Sequence, residues 1–193
     1  AAALAVNAGH FNDPEHRDGM AHFLEHMLFL GTKKFPKGSE YHTFINQNGG
    51  NHNAWTATEH TCFFFDIHFS HFSEALDRFS QFFIAPLLSE SFVNKERQNI
   101  DAEFQLKFKD DIRRLYDAHK ETVNQNHPFS KFSVGSLDTL ADRNGISIRE
   151  EVFDFYNKFY RAQYMTLAIE GPQSLAELSA LAEEYFSTIR STT

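Results

Sequence analysis

The chain has 193 residues, 41% hydrophobic and 23% charged, enough for one sizeable core and a little above the usual single-domain length of roughly 150 residues. Its formal net charge of −8 sets most of the surface against a nucleic-acid backbone, and no apolar run reaches the roughly 18 residues of a membrane span. Composition thus excludes membrane-embedded, collagenous and disordered classes and argues against nucleic acid as a partner.

Residues 3–8 read as a short buried strand. Asn12-Asp13-Pro14 then breaks the chain, and Asp18 is the predicted N-cap of a helix over 19–30 that stops at Gly31. A short helix is predicted over 39–47, followed by a Gly49-Gly50 turn and β-rich runs at 52–58 and 61–69 that can pair as a hairpin. From 71 to 125 the pattern turns helical. Phe72, Leu76, Phe79, Phe82 and Phe83 mark one stripe and Phe92, Val93, Ile100 and Phe104 another, so at least two long helices are expected. The run Lys107-Phe108-Lys109-Asp110-Asp111 reads as a solvated helix face. After a loop at His127-Pro128 come predicted helices at 136–142 and 147–160, a strand at 164–170 closed by Gly171-Pro172, and a last helix at 173–187. Strands near both ends with helices segregated between them predict an α+β fold, a mixed and mainly antiparallel sheet covered by several helices. With no internal repeat or low-complexity linker, the chain reads as one domain. The lone Cys62 cannot form an intrachain disulfide.

The strongest local signal is His22-Phe23-Leu24-Glu25-His26, in the middle of the first predicted helix. Positions i and i+4 share a helical face with Cβ atoms about 5–6 Å apart, within reach of a single Zn²⁺ at about 2.0–2.1 Å from each imidazole. Glu25 can approach the same face without being a ligand, as a general base. In so histidine-rich a chain the string arises by chance roughly once in twenty sequences, and alone it also fits two half-buried helix histidines and a solvated glutamate. A catalytic zinc needs a third protein ligand and an open fourth position. Glu96 and Glu103, one heptad apart on one helical face with Ile100 between them, are the best supply, although the pair also fits solvated surface glutamates. His68 and His71 are close in sequence, but no carboxylate or cysteine completes a second set.

The string continues as Met27-Leu28-Phe29-Leu30-Gly31-Thr32-Lys33-Lys34 and resembles the inverted zinc motif of the pitrilysin/insulysin metallopeptidase family. Gly50-Asn51-His52-Asn53-Ala54-Trp55-Thr56, Ala75-Leu76-Asp77-Arg78-Phe79, Glu96-Arg97 and His127-Pro128-Phe129-Ser130-Lys131-Phe132 resemble family segments in the same order, across essentially the whole chain. The resemblance implies that His22, His26 and Glu103 bind one Zn²⁺, that Glu25 is the base acting on the zinc-bound water, and that Glu96 supports the site from behind. It also implies an edge strand at Asn53, Ala54, Trp55 and Thr56 that takes an extended peptide by backbone pairing, with Trp55 and Phe29 as pocket walls. On residue type alone Trp55 also fits an ordinary core aromatic.

The expected function is that of a zinc-dependent endopeptidase domain acting on peptides or small proteins. The alternatives are a non-catalytic domain of family type, which would be expected to lose a ligand or the base, and a structural zinc domain, which would close its site with four ligands. Family members are longer and enclose substrate between several domains. The resemblance therefore implies a domain excised from a longer chain, consistent with a first residue, Ala1, that is not Met, and clipped ahead of a strand that pairs with residues 3–8. The further C-terminal domains become partners beside the peptide substrate, and the resemblance gives the 22 phenylalanines a second expected role, in surfaces that such domains cover. Compartment follows from resemblance alone: periplasmic for a bacterial protein, otherwise cytoplasmic.

Overall fold

Strand β1 (Ala2–Val6) lies between two partners, and the sheet is built outward from it. The computed structural model describes residues 1–191. β1 pairs antiparallel with β3 (Thr61–Asp66) on one side and with β4 (Met165–Ile169) on the other, and β2 (Asn51–Thr56) pairs antiparallel with β3, giving the order β2-β3-β1-β4. Both edges of β1 are therefore taken among the described residues. β2 and β3 form the predicted hairpin, with Ala54 opposite Phe63 and Thr56 opposite Thr61.

Period-2 alternation sends Ala2, Leu4 and Val6 of β1 inward against the helices. The helices are α1 (Met20–Leu28), α2 (Glu40–Gln47), α3 (Phe72–Ile84), α4 (Glu90–Lys107), α5 (Asp111–Lys120), α6 (Ile148–Phe159) and α7 (Leu175–Phe186). The architecture is the α+β layer expected, with an entirely antiparallel sheet among the described residues. Much of the phenylalanine surplus lies inside. Phe23, Phe63, Phe65, Phe79, Phe82 and Phe83 are all fully buried, and several interlock edge to face, as Phe63 does with Phe83 at 5.5 Å and Phe79 with Phe83 at 5.3 Å. Phe69 and Phe108 are the clear exceptions, each more than half exposed.

Three local expectations are corrected. Asp18 does not cap α1: the N-cap is Gly19, in the left-handed region at φ 89°, and the buried Asp13 carboxylate accepts from the Gly19 and Ala21 N–H groups at 2.8 Å each. The cap thus arrives from beyond the proline break, out of register with local capping rules. Residues 136–142 form a single hydrogen-bonded turn instead of a helix, because Ser136 and Thr139 bond each other's backbone and no continuing apolar stripe follows. The run at 107–111 is the break between α4 and α5, where Asp110 caps α5 by accepting from Arg113 N at 2.9 Å.

Candidate metal centre

Helix α1 places His22 and His26 one turn apart on one face, with ring centroids 4.8 Å apart, while its opposite face, Phe23, Leu24 and Met27, is locked in the core. Helix α4 packs across α1 and brings Glu96 and Glu103 to the same face. His22 Nε2 and His26 Nε2 stand 3.2 Å apart, and Glu103 Oε2 lies 3.5 Å from the first and 3.8 Å from the second.

The tautomers are set from behind. His22 Nδ1–H donates to the Val134 carbonyl at 2.7 Å, and His26 Nδ1–H donates to Glu96 Oε2 at 3.3 Å. Both Nε2 atoms consequently turn lone pairs toward each other and toward a carboxylate oxygen. Three acceptors facing one point without a donor are mutually repulsive, and a cation satisfies all of them. A tetrahedral ion with arms of about 2.0–2.1 Å has ligand–ligand edges of roughly 3.3–3.4 Å, and the three observed edges bracket that value. His22, His26 and Glu103 are also the group of three potential ligand side chains whose donor atoms lie within 4.8 Å of one another. The donor set therefore fits a zinc ion.

Electrostatics follow the same geometry. Burial and the His26 charge hold the His22 pKa below its usual value. Burial also works against a charge on His26, but Glu96, Glu25 and Glu103 outweigh it and the net direction is up. Burial would raise both Glu96 and Glu103; hydrogen bonds from His26 and Asn99 to the former, and from Lys107 to the latter, reverse the direction and keep both ionised. Glu25 differs. It is 8% exposed, its carboxylate accepts from Thr56 Oγ1 at 2.5 Å, and burial raises its pKa.

These groups open into a cleft of about 1130 Å³. His22, Glu25, His26, Glu103 and the whole Asn53–Thr56 segment line it, so the fold brings together most of the residues singled out by sequence. Trp55 is 47% exposed and no core aromatic; it packs on Phe64 at 5.6 Å, and its Nε1–H donates to His60 Nε2 at 3.2 Å. Phe29 and Glu96 are not among the residues that line the cleft. The Phe29 ring packs against the core among Tyr41, His52, Phe63 and Phe82. His68 and His71 bond Ser70 and Glu74 respectively.

Sequence reasoning missed three contributors. Lys107 pairs with Glu103, a contact readable from its i,i+4 spacing. Thr56 holds Glu25 in addition to sitting in the edge strand. The Val134 carbonyl is a backbone atom on an irregular segment and has no sequence signal at all.

The family model for insulinase (peptidase family M16) matches residues 1–135, and that for the peptidase M16 inactive domain matches residues 147–193. The chain is 42% identical over 191 residues to mouse insulin-degrading enzyme, covering 97% of this chain and 19% of that protein. It is 40% identical over 192 residues to the A-factor-processing enzyme of Saccharomyces cerevisiae, covering 98% and 19%. The crystal structure of pitrilysin superposes with a TM-score of 0.95 at 34% identity, over 99% of this chain and 20% of that one. The chain thus spans about a fifth of the length of these relatives. No described helix is long and apolar enough to cross a membrane.

Proposed function

The chain belongs to the insulinase family of peptidases, family M16, and from that premise we propose that it carries the zinc site of an endopeptidase acting on peptides. One observation carries the reading: two imidazole lone pairs and a carboxylate oxygen converge within 3.8 Å, without a donor among them, beside an exposed edge strand. His22, His26 and Glu103 would hold the ion, leaving a fourth position toward the cleft. When bound, zinc supplies a concentrated positive charge that acidifies a water molecule and polarises a scissile carbonyl.

The remaining work falls to the chain itself. Glu25 takes the proton of the attacking water and delivers it to the departing amine, a task suited to a buried carboxylate with a raised pKa. Thr56 holds that carboxylate in place. Glu96 and the Val134 carbonyl keep both imidazoles presenting Nε2. β2 has no strand partner on its outer side among the described residues, so Asn53, Ala54, Trp55 and Thr56 offer backbone groups to an extended peptide. Such pairing is largely blind to side chains. The names of two relatives refer to insulin and to A-factor, which supports peptides and small proteins as the substrate class.

The relatives' length supports placing this chain as one catalytic domain that works with further domains of the same polypeptide, so that residues 1–193 alone should bind zinc yet turn over little. A non-catalytic role is disfavoured by the intact set of three donors plus Glu25. Metal analysis beside a Glu103→Gln variant tests the reading: one zinc per wild-type chain and a marked loss in the variant are expected. Equal zinc in both would remove Glu103 from the site.

A further inference from the structure

Residues 131–135 form a strap across the elements that carry the metal donors. The Val134 carbonyl accepts from His22 Nδ1, and the Phe132 ring packs edge-on against Phe104, next to Glu103 on α4, at 5.1 Å. Gly135 lies against the head of α1 so closely that a Cβ on Gly19 would stand 2.3 Å from Gly135 Cα. The strap belongs to no helix or strand, so its backbone must be held by other groups.

Lys120, the last residue of α5, holds it. The residue is 6% exposed; its Nζ donates to the Lys131 carbonyl at 2.7 Å and reaches Ser133 Oγ at 3.5 Å. The ammonium also faces the rings of Tyr116 at 5.0 Å and Phe129 at 6.0 Å. Among the described residues no carboxylate lies within ion-pair distance of it. A buried ammonium without a carboxylate in contact is costly, and here the strap oxygens and the two rings compensate it at close range while the charges of Asp117 and Asp18 act from further away. The same end of the strap is tied a second time, because Lys131 Nζ donates to the carbonyl of Asp13, the residue whose side chain caps α1.

We infer that Lys120 is a positioning residue for the metal site: by fixing the strap at Lys131 and Ser133, it sets the Val134 carbonyl that keeps His22 Nε2 facing the cleft. It acts through the strap and touches no donor. The inference rests on the zinc reading above. One and two turns earlier, α5 presents Tyr116 and Arg113 to the cleft, so the helix that anchors the strap is also a wall of the site.

The test uses the natural polypeptide that carries this sequence. Zinc affinity is measured by competition with a chromophoric chelator, and the cobalt-substituted protein reports ligand geometry by its visible absorption. Lys120→Met keeps the apolar stem and removes the ammonium. It should weaken zinc binding about 10- to 100-fold and shift the cobalt bands, as loss of an outer support for a metal ligand does. Ser133→Ala, a milder change, should move both readouts in the same direction by a few-fold with an unaltered unfolding midpoint. Wild-type affinity and cobalt bands in Lys120→Met overturn the inference, and if that variant does not fold, unchanged values in Ser133→Ala do so. A wild type that binds no zinc overturns the zinc reading and this inference together, whereas Glu103-dependent zinc binding with an indifferent Lys120 overturns this inference alone.

Discussion

The Thr56 hydroxyl donates to Glu25 Oε2 at 2.5 Å and so ties edge strand β2 to the middle of α1. The strand on which a peptide would lie and the carboxylate that would act on it are joined by one bond. In the complete polypeptide that carries this sequence, Glu25→Gln is expected to keep zinc and to lose turnover by about 10²- to 10⁴-fold, the usual scale of general base catalysis. Thr56→Val should lower kcat several-fold with KM little changed. Turnover of a fluorogenic peptide checks both; full activity of Glu25→Gln would exclude the base role.

Backbone addition to β2 makes a prediction about the substrate. A peptide N-methylated at an amide that would face Asn53–Thr56 loses one hydrogen bond of about 0.5–1.5 kcal/mol and gains a clash, so its KM should rise roughly tenfold. Equal KM values for methylated and plain peptides would count against pairing on this strand.

Asp13 supplies both side-chain hydrogen bonds at the head of α1. Asp13→Ala should destabilise the fold by about 1–2 kcal/mol, the range for a lost N-cap, and weaken zinc binding because the helix end bearing His22 frays. Asp18→Ala, at the position that local rules favour, should stay within about 0.5 kcal/mol of wild type. Denaturant unfolding of the two variants decides between the caps.

His10 lines the cleft with its pKa lowered to about 4, chiefly by burial and then by the charges of His22 and Lys120. The folded state thus holds the ring neutral where the unfolded chain, at an ordinary value of 6.5, takes up a proton. The stability this neutrality provides is complete above pH 6.5 and is lost as pH falls from 6.5 to about 4. At about 1.4 kcal/mol per pH unit, reduced for partial exposure, the loss is about 2 kcal/mol. Unfolding of wild type and His10→Gln between pH 7 and pH 4 should show the variant losing about that much less, and parallel curves would contradict the assignment.

Some features were legible because their cause is local. The pairing of His22 with His26 follows from i,i+4 helical spacing, and the β2–β3 hairpin from two β-rich runs around a turn. The surroundings of Phe29 were not legible, for an equally physical reason. Its position just past the motif says that it is near α1, but only the path of the chain after Leu28 decides that its ring meets Tyr41 and Phe82. Asp13 was overlooked as a cap because it reaches α1 across a bend, and Lys107 because its i,i+4 partner Glu103 makes it part of the site, away from the solvated face assigned to it.

The sequence by itself determined the helical face that carries His22, Glu25 and His26, the alternation of the strands and the family likeness, since each rests on spacing along a few turns or residues. The tertiary structure alone decided that Glu103 meets those histidines, that Glu96 stands behind His26, and that a main-chain carbonyl at Val134 orients His22. Donors on different elements converge only when α4 is laid across α1 and the strap at 131–135 is drawn over both. That arrangement is set by the packing of Ile100 and Phe104, the close approach of Gly19 to Gly135, and the buried ammonium of Lys120. A backbone carbonyl is common to every residue type, so no reading of residue identities could single out the one at Val134.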